Sequence, residues 1–293
     1  MKMNAGAAVG SRPWWWPAVA AAAWATTVLA EDPGAAERYV RYGFTMRNDS
    51  DRLVPVAELW VCAPLQETSA QRVTGLTPAP AAEERTDGLG NHLLRFVFSN
   101  VPPYAVRLAT VAATLEMTAE PRPAGEAPER ALRSEPLIEF DAAAFAEQAP
   151  DVPAGTPEER ARAIFVWVRD NVRDSGYDRT DRGALYALAE RKGDCTEYAA
   201  LFAALCRRAG VPARVMGGYV VARNARLSAM EYHNWAEFHA DGRWQIADPY
   251  ANVFREKADQ YVATRIFGES DSPLGGYARF RVVGDGLQAE MDP

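Results

Sequence analysis

Asp241-Gly242 separates two strand-like runs, Tyr232 to Ala240 and Arg243 to Asp248. Asp-Gly between such runs is a strong signal for a two-residue hairpin turn, because both turn positions need positive φ. The turn fixes a register. If Ala240 faces Arg243, Asp248 stands opposite Trp235 and Tyr250 opposite His233. His233, Trp235, Trp244, Ile246 and Asp248 then share one face of the sheet, with Asp248 the diagonal neighbour of His233 at about 7 Å. A bulge beside Pro249 would disturb that relation. His239 shares the face but lies ~20 Å further along the strand. It is expected at the surface beside the turn.

The second constraint is the run Arg191-Lys-Gly-Asp-Cys-Thr-Glu-Tyr198 and its continuation to Gly210. It reads as a loop turning on Gly193 and entering a helix at Cys195. Asp194 is the N-cap and Glu197 the return partner of a capping box. Tyr198, Leu201, Phe202, Leu205 and Cys206 recur at helical spacing, and Gly210-Val-Pro212 stops the helix. A thiol in the first turn feels the positive end of the helix dipole, which favours thiolate. Cys206 sits mid-helix, where a structural cysteine belongs. The two are ~16 Å apart along the axis and cannot form a disulfide. Pairing with Cys62 stays open, and nothing requires it.

Residues 31–118 have period-two patterning. Val40, Tyr42, Phe44 and Met46 alternate with more polar positions, and Leu53–Cys62, Leu93–Phe98 and Val106–Met117 are further strands between turn clusters. A β-sandwich is expected there. His92, with no partner nearby in sequence, is expected at the surface. Residues 119–135, rich in Ala, Pro, Glu and Arg, read as a linker. Residues 136–293 form a second domain: a short helix within 140–153, a capped helix starting at Thr156-Pro157, a helix over 183–190, the Cys195 helix, a strand over 213–221, the hairpin, and strand material at 261–267 and 278–283. Gly217-Gly218 marks a strand kink.

Residues 1–30 carry Lys2 and Arg12, an uncharged run from Pro13 to Ala30, and Val28-Leu-Ala30 before Glu31. This is the layout of a secretory signal peptide, which places the protein in the periplasm or outside the cell. The alternative is an uncleaved inner-membrane anchor over residues 13–30, and membrane contact is expected only in that case. The net charge of -7 and the lack of a basic stripe argue against nucleic acid. Three histidines and three cysteines, scattered without ligand spacing, give no metal site, and no cofactor motif is present.

Cys195, His233 and Asp248 fit the scheme of an activated nucleophile: thiol, imidazole base, and a carboxylate that sets the imidazole tautomer. First-turn N–H groups of the Cys195 helix could form part of an oxyanion hole, with Trp235 or Tyr219 as candidate second donors.

Gly183-Ala-Leu-Tyr-Ala-Leu, Gly193-Asp-Cys-Thr-Glu-Tyr-Ala-Ala-Leu-Phe, Ala209-Gly-Val-Pro-Ala-Arg214, Gly218-Tyr219, His233-Asn-Trp-Ala-Glu-Phe and Gly242-Arg-Trp-Gln-Ile-Ala-Asp-Pro249 resemble the bacterial transglutaminase-like superfamily. The resemblance covers roughly residues 150–255. It implies an α+β fold with a papain-like core, in which the cysteine-bearing helix packs on an antiparallel sheet. It also implies nucleophile, base and orienting acid at Cys195, His233 and Asp248. The β segment around Leu59-Trp-Val-Cys-Ala-Pro64 resembles the domain that often precedes this core in exported members. Asn234, where alanine is common, and Cys62 depart from the pattern. The expected activity is attack on an amide or peptide carbonyl of a protein or peptide substrate through a thioester, with transfer to water or to an amine. The alternative is a non-catalytic binding or scaffold module of the cell envelope.

Overall fold

The computed structural model describes residues 35–275 and 277–293, and the expected leader over residues 1–30 lies outside them. The fold is α+β. In chain order the strands and helices are β1 (Ala36–Asn48), β2 (Val54–Cys62), β3 (Gln71–Ala79), β4 (Glu83–Thr86), β5 (His92–Val101), β6 (Val106–Met117), α1 (Ala143–Gln148), α2 (Pro157–Asn171), β7 (Arg173–Asp174), α3 (Gly183–Glu190), β8 (Lys192–Gly193) and α4 (Cys195–Arg208). β9 (Ala213–Val220), β10 (Ala225–Arg226), β11 (Tyr232–Ala240), β12 (Arg243–Asp248), β13 (Val253–Phe254), β14 (Tyr261–Ile266), β15 (Phe280–Val283) and β16 (Leu287–Met291) complete it.

Two sheets face each other in the first part of the chain. One has the order β10-β1-β6-β3 with β16 also on β1, and the other β15-β2-β5-β4. Val40, Tyr42, Phe44 and Met46 of β1 bury against Leu59, Leu94 and Phe96 of the opposite sheet, the inward half of the period-two pattern. The last two strands return to this sandwich: β15 pairs with β2, and β16 with β1. β3 and β4 were not evident from the sequence. β4 is exposed throughout, and β3 has no clean alternation of burial.

His92 corrects the expectation of a surface histidine. It opens β5 only 2% exposed, with Nε2 2.8 Å from Glu84 and Nδ1 3.3 Å from the Pro64 carbonyl. Its partner lies on the paired strand β4, which explains why chain proximity did not disclose it.

The second part is the sheet β13-β12-β11-β9-β14. The hairpin register is the expected one, with Ala240 opposite Arg243 and Ala236 opposite Ala247. One face of the sheet, through Val215, Ala236, Phe238 and Ala247, packs with Leu201, Phe202 and Leu205 of α4. The other face carries Met216, Trp235, Ile246, Tyr261 and Ala263, packed with Leu65 and Leu89 from the first part of the chain. α2 begins with a full capping box, Thr156 accepting from the Glu159 N–H and Glu159 accepting from the Thr156 N–H. The Gly217-Gly218 pair faces a register shift in β14 between Ala263 and Arg265. A Cβ at Gly218 would stand 2.0 Å from the Val262 carbonyl oxygen and 3.0 Å from Trp235. Only glycine lets β14 approach this closely.

Candidate active site

Cys195 is the first residue of α4, capped by Asp194. Asp194 accepts from the Thr196 N–H at 2.8 Å and from the Asp178 N–H at 3.1 Å. Glu197, 2% exposed, is a junction. One oxygen accepts from the Asp194 N–H at 3.0 Å, and the other accepts from the N–H groups of Arg182 (2.9 Å) and Gly183 (3.3 Å). One carboxylate therefore ties the starts of α3 and α4 together. Its pKa is raised by burial, with these backbone bonds opposing. The turn before α4 differs from expectation. The left-handed residue is Arg191, at φ 53°, whereas Gly193 is required for space: a Cβ there would sit 2.2 Å from Cβ of Glu197.

His233 lies on β11 opposite Gly218 of β9. Its Nε2 is 2.6 Å from Oδ2 of Asp248, and the Cys195 thiol lies near enough to help raise its pKa. With Nε2 committed to the carboxylate, Nδ1 is the nitrogen left for sulfur. Asp248 is 1% exposed, and the Ala251 N–H donates to its Oδ1 at 3.0 Å. Burial works against a charged imidazole here. The Asp248 and Cys195 hydrogen bonds and charges outweigh it and lift the His233 pKa from 6.5 to about 10.

Aromatic rings wall the pair. Trp235 lies nearly parallel to His233, with centroids 6.5 Å apart and planes at 18°. Tyr250 approaches the imidazole to 5.9 Å and donates its hydroxyl to Asp174 at 3.1 Å. Burial first, then Asp174, pushes the Tyr250 pKa up to about 12. Asp174 belongs to β7, which pairs with β8 just before Cys195.

Sequence reasoning named Cys195, His233 and Asp248 and set Tyr250 opposite His233 without giving it a role, and it missed Tyr261 and the pairing of Asn234 with Thr196. Tyr261 donates to Oδ2 of Asp248 at 2.9 Å from a strand with no local chemical signature. Of the two candidate oxyanion donors, Trp235 is at the site, its indole N–H buried and without a hydrogen-bond partner. Tyr219 is in the sandwich core, its hydroxyl 3.1 Å from the Met291 sulfur. His239 stands opposite Trp244 and contacts the Gly125 carbonyl at 2.8 Å, away from the Cys195 helix start. Cys62 and Cys206 are buried free thiols, whereas Cys195 is partly accessible. Burial raises the pKa of both. Among the described residues, no cluster of His, Cys, Asp and Glu could hold a metal ion.

Residues 146–249 match the family model of the transglutaminase-like superfamily. The human kyphoscoliosis peptidase is 32% identical over 107 residues, 32% of this chain and 16% of that protein. A protein-glutamine gamma-glutamyltransferase of Pseudomonas aeruginosa is 30% identical over 95 residues, 29% of this chain and 14% of that protein. The chain thus spans at most about a sixth of the curated relatives it matches. The crystal structure of a candidate cysteine protease from Cytophaga hutchinsonii superposes with a TM-score of 0.53 at 18% identity, covering 88% of this chain and 90% of the other. That likeness concerns the fold, and it extends over the β-sandwich as well as the core. The family match contains Cys195, His233 and Asp248, and the chain carries a domain of the transglutaminase-like superfamily.

Proposed function

We propose that this protein is a cysteine enzyme acting on amide or peptide carbonyls of protein or peptide substrates, with Cys195 as nucleophile, His233 as acid and base, and Asp248 as orienting acid. The observation that carries the reading is the His233 ring held 2.6 Å from the buried Asp248 carboxylate, with the Cys195 thiol at the start of α4 near enough to raise its pKa. In the resting pair the imidazole holds the proton and sulfur is the nucleophile. Sulfur bonds to the carbonyl carbon, and the developing oxyanion faces the backbone N–H of Cys195 at the positive end of α4. The C–N bond then breaks, the leaving nitrogen takes the proton from His233, and a thioester remains. Water or an amine next attacks the thioester and gives its proton to His233. The C–S bond breaks, and the thiolate–imidazolium pair is restored.

Both outcomes share the first half-reaction and differ only in the acceptor. The reading is tested by mass spectrometry of products formed from a peptide library with and without an added amine. A product carrying the amine marks a transferase, and a free acid marks a hydrolase. Product that persists undiminished in Cys195→Ser would overturn Cys195 as the nucleophile, and no product at all would overturn the reading in favour of a non-catalytic scaffold. We also propose export to the periplasm or beyond, on the strength of residues 1–30. Among the described residues, no helix is long and apolar enough to cross a membrane. N-terminal sequencing of the mature protein tests cleavage before Glu31.

A further inference from the structure

The family match ends at residue 249, yet the carboxylate it contains is held by a residue beyond it. Oδ2 of Asp248 accepts two hydrogen bonds, from His233 Nε2 at 2.6 Å and from the Tyr261 hydroxyl at 2.9 Å. Tyr261 is 4% exposed, and its ring meets Trp235 edge-on at 5.1 Å. Trp235 in turn lies against His233, so the hydroxyl and the indole bracket the His233–Asp248 pair.

Tyr261 opens β14, the edge strand of its sheet, and that edge is closed by the first part of the chain. Gln71, fully buried on β3, accepts from the Ala263 N–H at 2.9 Å and donates to the Ala263 carbonyl at 3.0 Å and the Leu65 carbonyl at 2.6 Å. Asn91 likewise accepts from the Ile266 N–H at 2.6 Å and donates to its carbonyl at 3.0 Å. Two buried amides thus complete the strand's hydrogen bonding, as a neighbouring strand would. A side chain on a strand fixed in this way is held in place before substrate arrives.

We propose that Tyr261 is a positioning residue of the catalytic centre: its hydroxyl fixes the torsion of the Asp248 carboxylate, keeping Oδ2 directed at His233. The proposal rests on the roles given above to Cys195, His233 and Asp248. Without the hydroxyl, the bonds left on the carboxylate among the described residues are that with His233 itself and that from the Ala251 N–H on the opposite oxygen.

Tyr261→Phe removes only the hydroxyl and retains the ring packing. Two readouts apply to the full chain at a temperature where both proteins are folded: the His233 titration by imidazole NMR, and the rate at which iodoacetamide modifies Cys195 at pH 7, located by peptide mapping. The expected result is a His233 pKa lower by roughly one unit and alkylation slower by about threefold to tenfold, the size of a weakened hydrogen bond to a charged group. Asp248→Asn, which removes the carboxylate charge, should shift both further in the same direction. An unchanged or raised His233 pKa in Tyr261→Phe would overturn the proposal, because the hydroxyl would then only temper the carboxylate's charge. If His233→Ala leaves the alkylation of Cys195 in the otherwise unaltered protein as fast as before, the catalytic reading itself fails instead.

Discussion

Asn234, the residue after His233, donates its side-chain N–H to Oγ1 of Thr196, the residue after Cys195, at 2.8 Å. Both are buried, 6% and 5% exposed. The bond joins β11 to the first turn of α4 beside the two groups that must meet. Asp181 is close by, its pKa raised by burial and by Asp194, with Thr196 opposing. Thr196→Val leaves the Asn234 amide buried and unpaired and should cost about 1–3 kcal/mol. Asn234→Ala removes the whole buried amide, including an Oδ1 that has no partner, and should cost less. Denaturant melts of the two single variants and the double variant should return a coupling of about 0.5–3 kcal/mol. Strictly additive losses would deny the clasp.

The family resemblance marked Asn234 as a departure, and it could not show what the asparagine does. That required knowing that β11 passes the start of α4. The register around Asp241-Gly242 was legible because a two-residue turn leaves one pairing, and a side-chain period of two then assigns every face. The capping box at Asp194 and Glu197 was legible for the same reason, since its partners are three residues apart. Tyr261, Gln71 and Asn91 were not, because their bonds join residues 13, 192 and 175 positions apart. β16 escaped notice because Leu287–Met291 has no strong strand signature and is recruited by the free edge of β1.

A pH effect on stability follows from His233. Its pKa is about 10 in the fold against 6.5 for an ordinary histidine, so the folded protein holds a proton that the unfolded chain releases. The corresponding stabilisation is complete below about pH 6.5 and is lost as pH rises through about 10. Urea midpoints between pH 6 and 10 should fall more steeply in the unaltered protein than in His233→Ala. Parallel slopes would show that the imidazole titrates alike in both states.

Gly193→Ala tests the packing beneath the nucleophile. The added Cβ would meet Cβ of Glu197 at 2.2 Å and displace the carboxylate that holds the N–H groups of Arg182, Gly183 and Asp194. A loss of about 1–3 kcal/mol is expected from overpacking, measured by denaturant melting. Gly242→Ala, where φ is positive, unlike at Gly193, and no atom lies within 4 Å of the added Cβ, should cost only about 1 kcal/mol, from backbone strain alone. No loss in Gly193→Ala would show that Glu197 yields to the added Cβ without cost.

Burial raises the pKa of the Cys62 and Cys206 thiols, the latter strongly, and leaves Cys195 as the accessible sulfur beside a charged imidazole. The most direct test of the proposed centre is therefore the rate of iodoacetamide modification at each cysteine at pH 7, with and without His233. Cys195 should react at least about tenfold faster than Cys206, and His233→Ala should remove most of that advantage. Modification of Cys195 at the same rate in both proteins would contradict a nucleophile activated by His233.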